Sequence, residues 1–200
     1  SYEESAVYSM LFDMYNSEGN TEMASKVLEK GKVMFPDDSQ LLFAQINYYI
    51  QNEKYDELEA SLKKAIEAEP NNAGVRSALG NVYVKLFNES LDAGKEEDAM
   101  TYKSQAIDYY GQALEIDPEN FEALYSIGSI YFNQAATLTQ QMGDLGMSKE
   151  DQKKYDELKT ETERLFNEAL PYFKKAERIN PSDQGMLIAL KEIYARTGDY

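Results

Sequence analysis

The sequence contains no histidine and no cysteine, two of the residue types that most often act as general base, nucleophile or metal ligand. Without imidazole, the commonest general base is missing and a Ser–His–Asp arrangement is excluded. Without thiolates, a cysteine nucleophile, a disulfide and thiolate metal ligands are excluded as well. The carboxylates Glu96-Glu97-Asp98 and Glu161/Glu163 read as exposed helix faces rather than as an acid–base pair. We therefore expect no enzyme activity, no metal and no cofactor.

Phosphate, nucleic-acid and membrane binding are disfavoured too. The segment Gly94-Lys95-Glu96 lacks the upstream glycine and the hydroxyl of a phosphate-binding loop, and residues 143–146 read as a turn. The chain has 20 basic and 36 acidic residues and a net charge of −16, which opposes binding to nucleic acid or an anionic membrane. No apolar run approaches the roughly 20 residues of a membrane span. The remaining partner class is a protein or peptide. The acidic charge either attracts a cationic partner or only keeps the surface solvated, and both interpretations stay open.

Four of the five prolines indicate an internal repeat. Pro36, Pro70, Pro118 and Pro181 stand 34, 48 and 63 residues apart. Each is followed within two residues by Asp, Asn or Ser, so each segment ends one helix and caps the next. A spacing of 34 is typical of a helix–turn–helix solenoid, and the longer gaps fit the same repeat with inserts. We predict an all-α solenoid of about four and a half repeats in a single domain over residues 1–200, with repeats at 5–38, 39–72, 73–120, 121–183 and 184–200, the last cut short.

Aligning the repeats on their prolines gives a common packing pattern. One position is always tyrosine, two are mostly small, and one between them is large. Small residues let helices approach closely, and large ones fill the space between them. The tyrosines are Tyr15, Tyr49, Tyr83, Tyr131 and Tyr194; the small positions are Ala24/Gly31, Leu58/Ala65, Ala106/Ala113 and Ala169/Ala176; the large ones are Leu28, Leu62, Tyr110 and Phe173.

This pattern resembles the tetratricopeptide repeat (TPR) family over essentially the whole chain. The departures are Leu58, and Phe12, Ile46 and Lys191 at another position that is usually small. The resemblance implies a right-handed superhelix and a non-catalytic protein-interaction scaffold. Segments 169–176 and 190–195 resemble a bacterial exported subgroup, which implies a periplasmic or cell-envelope location, with the cytoplasm as the alternative.

The inserts of 14 and 29 residues predict two lengthened helical hairpins. Even division gives seven extra residues per helix in the third repeat and about 14 per helix in the fourth, which keeps the heptad phase of the apolar seam. Gly94 marks the first turn, and the second follows a helix over 121–142. Ser148 with Asp151 predicts the cap of the next helix. Within that helix Pro171 predicts a bend.

For the site, the resemblance implies a concave groove lined by the first helix of each repeat. The candidates are Phe43, Asn47, Gln51, Ser77, Asn81, Lys85, Tyr125, Ser129 and Asn133. We expect amides such as Asn47 and Asn81 to pair with the backbone of a bound peptide or helix, and aromatic residues such as Phe43 and Tyr125 to anchor it. Alternatively, the two asparagines only bond to neighbouring helices. The carboxylate clamp of some TPR proteins is excluded, because its lysine position is never lysine here. A second hypothesis is that the chain is a structural or self-association module of a larger cell-envelope assembly. In that case the long hairpins would form the contacts, for example those of a weak homodimer.

Overall fold

The computed structural model describes residues 2–36, 38–52 and 54–198 of the chain. Within these residues the secondary structure consists of nine α-helices and contains no strand, which confirms the all-α class predicted from the proline spacing. The helices are α1 (Tyr2–Ser17), α2 (Thr21–Met34), α3 (Ser39–Gln51), α4 (Tyr55–Ala68), α5 (Ala73–Asp92), α6 (Glu96–Ile116), α7 (Phe121–Gly143), α8 (Lys149–Ile179) and α9 (Gln184–Thr197).

The segments around the prolines end one helix and start the next, as predicted. Two residues after each of the four spaced prolines lies a capping residue, whose side-chain oxygen accepts a hydrogen bond from a backbone amide three residues on. These caps are Asp38, Asn72, Asn120 and Asp183. As a result, α3, α5, α7 and α9 begin at the residues that the alignment gave as the first of each repeat.

The chain divides into two compact units, one up to Tyr102 and one from Lys103, with the boundary inside α6. In the first unit, α1 packs on α2, α3 packs on α4 and on the preceding pair, and α4 packs on α5. Its core includes Phe12, whose ring meets Tyr48 edge-on at 6.0 Å between centroids. Helices α1 and α2 approach closely at Gly31, where a Cβ atom would lie 2.9 Å from that of Tyr8. The prediction of one domain over the whole chain stays a prediction.

The second unit is built on the long α7–α8 hairpin, against which α9 packs. The aligned positions form its core, since Ala169, Phe173 and Ala176 are at most 1% exposed. At Gly128 a Cβ atom would lie 2.9 Å from the Phe173 ring, so glycine is what lets α7 approach α8 there.

Helix lengths show how the inserts are used. Helices α5 and α6 have 20 and 21 residues against 13 and 14 in α3 and α4, so each gains the predicted seven. Helices α7 and α8 have 23 and 31 residues, gains of 10 and 17, so the even division predicted for this repeat is wrong. The reason is local. Helix α7 stops at Gly143, and α8 starts early at the Ser148–Asp151 capping box.

Two features of the long helices bear on the remaining sequence predictions. Helix α8 continues without interruption through Pro171, and the bend expected there stays a prediction. Tyr155, near the start of α8, is 40% exposed. No helix in the described parts of the chain combines the length and the apolar character needed to cross a membrane.

Candidate peptide-binding surface

In the first unit, α3 presents three of the predicted site residues on one face. Phe43, Asn47 and Gln51 are four residues apart and therefore lie one above another on the helix. Asn47 and Gln51 are exposed, Phe43 is half-buried, and the neighbouring Ile50 is 50% exposed. The opposite side of α3 is anchored in the core by buried residues, so this face is held outward.

Side-chain amides supply the hydrogen-bonding capacity of this face. Asn16 Nδ2 on α1 donates to Gln51 Oε1 on α3 over 2.8 Å, which links the two helices across the surface. In the described part of the chain, the Asn47 amide makes no hydrogen bond, although it is exposed beside this pair. An exposed amide offers two donors and one acceptor, which is the pattern that an extended backbone satisfies.

Helix α5 adds a second row of predicted site residues to the first unit. Asn81 and Lys85 are exposed and four residues apart. Lys85 Nζ lies 3.3 Å from Glu89 Oε1 and 5.7 Å from the centre of the Tyr55 ring. Ser77, one turn earlier, is fully buried, so its hydroxyl does not lie on this surface.

A buried polar network holds α3 from behind. Gln45 stands where the other repeats have Leu or Ile, and only 8% of it is exposed. Its Oε1 accepts from Lys32 Nζ and, at 3.3 Å, from Ser61 Oγ, while its Nε2 donates to the Tyr49 hydroxyl over 2.8 Å. These partners lie on α2, α4 and α3 itself, so the network fixes the rotation of the helix that carries Phe43 and Asn47.

In the second unit, α7 carries Tyr125, Ser129 and Asn133 at the same four-residue spacing. Asn133 is exposed and Ser129 is half-buried. The Tyr125 ring stacks on Phe121 at 5.8 Å and meets Phe173 edge-on at 6.0 Å between centroids. Its hydroxyl also fits closely against Gly185 on α9, 2.7 Å from where a Cβ atom would lie. Tyr125 therefore packs α7, α8 and α9 together as well as facing outward in part.

Two tyrosines of the packing pattern have raised pKa values. Burial, and then the hydrogen bond that its hydroxyl donates to Glu59, raise the pKa of Tyr83 to about 12. Burial raises the pKa of Tyr110 to about 12 as well. Both belong to the packing pattern rather than to the candidate surface. Over the described ranges, no group of three or more Asp or Glu side chains is arranged to hold a metal ion.

Two features of the surface were not predicted from the sequence. Asn16 and Gln51 are 35 residues apart, about one repeat, but only the packing of α1 on α3 brings their amides together. The burial of Ser77 likewise depends on its neighbours. The 34-residue repeat predicts which side chains share a helix face. It does not predict how far each of them is buried.

Comparison with known proteins matches two segments to tetratricopeptide models. Residues 47–72 match a model described as tetratricopeptide repeat, and residues 104–134 match one described as TPR repeat. Both segments include one of the proline turns of the sequence pattern. No curated protein matches the chain significantly.

Several solved structures share the fold. MamA AMB-1 is 25% identical with a TM-score of 0.55, over 92% of this chain and 77% of that one. A TPR repeats protein, BF2334, from Bacteroides fragilis is 20% identical with a TM-score of 0.55, over 96% and 82% of the two chains. TTC0263, a thermophilic TPR protein from Thermus thermophilus, is 18% identical with a TM-score of 0.52, over 96% and 99%. With these matches and the repeated pattern of caps, prolines and packing positions, the chain contains tetratricopeptide repeats and has the fold of tetratricopeptide repeat proteins.

Proposed function

We propose that this chain, a protein-interaction scaffold by its repeats, binds an extended peptide on the first-unit surface formed by α1, α3 and α5, without catalysis. The observation that carries the proposal is the exposed Asn47 amide. It has no hydrogen-bond partner in the described residues and lies beside the apolar side chains of Phe43 and Ile50. Recognition of an extended peptide combines hydrogen bonds to its main chain with contacts to its side chains.

The hydrogen-bonding pattern favours an extended segment over a helix. The exposed Asn47 amide can donate to a carbonyl and accept from an N–H group, and Gln51 Nε2 can donate while its Oε1 accepts from Asn16. An extended backbone presents both groups, whereas a helix has already used them internally. Phe43 and Ile50 would then contact alternate side chains of the peptide.

Binding would rely on a preformed surface. The Asn16–Gln51 hydrogen bond and the Gln45 network hold the face in place before a ligand arrives. Such preorganisation lowers the entropy cost of association. Tyr125, Ser129 and Asn133 of the second unit form a separate candidate face, with Tyr125 as its aromatic contact.

The proposal is tested by selecting peptides from a random display library on the intact chain. We expect enriched peptides whose affinity falls about tenfold or more for the double variant Asn47→Ala/Asn81→Ala, because each amide is lost at an exposed position without disturbing the core. Isothermal titration calorimetry gives the dissociation constants. Asn167→Ala on α8, also an exposed asparagine, is the matched control and should bind like the parent chain.

Two outcomes would contradict this function. If the library yielded no peptide above background, the proposal that the chain binds peptides would be contradicted. If the selected peptides bound the double variant as tightly as the parent chain, Asn47 and Asn81 would not belong to the binding site. Circular dichroism of each variant separates loss of binding from loss of fold.

The alternative, self-association through the long hairpin, has less support. The exposed face of α8 carries ion pairs at four-residue spacing, Lys153–Glu157 and Lys159–Glu163, at 3.6 and 4.0 Å. Exposed pairs of this kind contribute little energy and suit a solvated face. Light scattering before and after shortening residues 134–165 tests this alternative, which requires a dimer that the shortened hairpin abolishes.

We also propose a location in the bacterial periplasm or cell envelope, supported by the resemblance of segments 169–176 and 190–195 to exported proteins of this kind. Fractionation of cells from the native host tests it. Recovery of the protein with cytoplasmic markers would contradict it.

A further inference from the structure

Asp13 on α1 is an isolated charge beside the proposed peptide-binding surface. It is the only charged residue between Ser5 and Ser17, and α3 contains no charged residue at all. The Asp13 side chain is exposed and makes no hydrogen bond or ion pair in the described part of the chain. A carboxylate without a counter-charge therefore lies among amide and apolar side chains.

Two contacts between α1 and α3 show how these helices lie. The Phe12 ring meets the Tyr48 ring at 6.0 Å between centroids, and Asn16 Nδ2 donates to Gln51 Oε1 over 2.8 Å. From the first contact to the second, the chain advances four residues on α1 and three residues on α3. The two helices therefore run in the same direction.

This parallel arrangement places Asp13 beside Asn47. Asp13 precedes Asn16 by three residues, and Asn47 precedes Gln51 by four, so each lies about one turn back on its helix. Because the helices run parallel, stepping back from the Asn16–Gln51 hydrogen bond on both of them leads to neighbouring points. The carboxylate on α1 and the amide on α3 are therefore neighbours on one surface.

The repeat position of Asp13 accounts for its exposure. Asp13 and Asn47 are both the ninth residue of their repeats. Asn47 is exposed although α1 packs against the helix that carries it. A preceding helix therefore leaves this position open, and the side chain here faces the candidate surface.

We propose that Asp13 selects a basic peptide, by pairing with a Lys or Arg side chain of the ligand; this rests on the peptide-binding function proposed above. Such a pair is a charge-assisted hydrogen bond, which neutral side chains cannot offer. A peptide that pairs with the Asn47 amide and crosses to α1 covers the roughly 8–10 Å between packed helices in about three extended residues. The Lys or Arg therefore lies about three residues from the one bound to Asn47.

The charge of the whole chain favours the same ligand. A net charge of −16 attracts cations over a distance, and Asp13 supplies the contact on arrival. Lys85, the basic residue among the predicted site residues, lies 3.3 Å from Glu89, so its charge is already balanced. Salt screens attraction of this kind, and we expect the affinity for a basic peptide to fall as the salt concentration rises.

Parallel selections from a random peptide display library, on the intact parent chain and on Asp13→Lys, test the proposal. We expect Lys or Arg to be enriched at one position of the peptides selected on the parent chain. Asp or Glu should be enriched there on Asp13→Lys, because the charge facing the peptide is reversed. Asp98→Lys on α6, at an exposed aspartate, changes the net charge by the same amount and should select the same basic peptides as the parent.

Calorimetry with one peptide selected on the parent chain measures the contact itself. Asp13→Asn should weaken binding about three- to fivefold at about 50 mM salt, as expected for an exposed ion pair, and less at about 500 mM. Asp98→Asn, the matched control, should change the affinity by less than about twofold. Replacing the basic residue of the peptide by Glu should weaken binding to the parent chain and strengthen binding to Asp13→Lys.

The outcomes separate this inference from the function on which it rests. Peptides that depend on Asn47 and Asn81 but show no enriched Lys or Arg would overturn the role of Asp13 and leave peptide binding in place. Equal losses of affinity in Asp13→Asn and Asp98→Asn would do the same, since the effect would then come from net charge alone. A library that yields no binding peptide would contradict both proposals.

Discussion

Gly128 and Gly111 are helical glycines with opposite surroundings. At Gly128 on α7, a Cβ atom would lie 2.9 Å from the Phe173 ring, in a buried contact between two helices. At Gly111 on α6, a Cβ atom would meet nothing within 4 Å. Residue type therefore has a packing reason at the first position and none at the second.

We expect Gly128→Val to lower the free energy of unfolding by about 2 kcal/mol, because the side chain must push the Phe173 ring aside in a filled core. Gly111→Ala should raise it by about 0.5 kcal/mol, since alanine restricts the unfolded chain and fits the helix. Urea denaturation followed by circular dichroism measures both. Equal effects at the two positions would contradict the packing account.

Tyr110 gives a pH-dependent prediction. Its pKa is raised by burial from about 10 in the unfolded chain to about 12 in the fold. Its contribution to stability is therefore complete below pH 10 and is lost as the pH rises towards 12, by about 2 to 3 kcal/mol. Tyr110→Phe, which cannot ionise, should show a smaller loss of stability between pH 9 and pH 12 than the parent chain. Tyr155→Phe, at an exposed tyrosine, is the control variant. If Tyr110→Phe lost as much stability as the parent chain over this pH range, the raised pKa of Tyr110 would be contradicted.

Helix ends illustrate what the sequence could predict at the scale of elements. Proline, the capping residue after it and the next helix start are set by local chemistry, so α3, α5, α7 and α9 begin where the pattern placed them. The lengths of α7 and α8 were less predictable, because the insert length gives only their total. Where the turn falls depends on Gly143 and on the Ser148–Asp151 cap.

Ser148→Ala should loosen the start of α8. In the capping box, Ser148 Oγ accepts from the Asp151 amide over 3.0 Å, and the Asp151 carboxylate accepts from the Ser148 amide over 3.3 Å. Losing this cap costs about 1 kcal/mol and is felt mainly in the first turn. Hydrogen exchange should therefore speed up about fivefold over residues 149–153, while Thr137→Ala on α7 leaves it unchanged. Unaltered protection would show that the cap does not hold this end of the helix.

At the scale of the whole molecule, the repeat register predicted more of the core than of the surface. The small and large packing positions are buried in the first four repeats, as the packing pattern predicts. The residues of the candidate surface lie outside these packing positions. Exposure there depends on particular neighbours, as the buried Ser77 and the Asn16–Gln51 hydrogen bond show.

The two compact units bear on how the molecule unfolds. Repeats stabilise one another through neighbouring contacts, so we expect one cooperative transition for the chain. Differential scanning calorimetry should give a single peak, and Gly128→Val in the second unit should move that peak without splitting it. Two resolved peaks, with only one shifted by the variant, would contradict the single-domain prediction.

The central claim is that an extended peptide binds the surface of α1, α3 and α5. Amide chemical-shift mapping, with a peptide selected on the intact chain, tests it most directly. The account predicts that the largest shifts fall on Phe43, Asn47, Gln51 and Asn81 and that they disappear in Asn47→Ala/Asn81→Ala. Shifts concentrated on α2 and α4, or on the turn at residues 144–148, would contradict it.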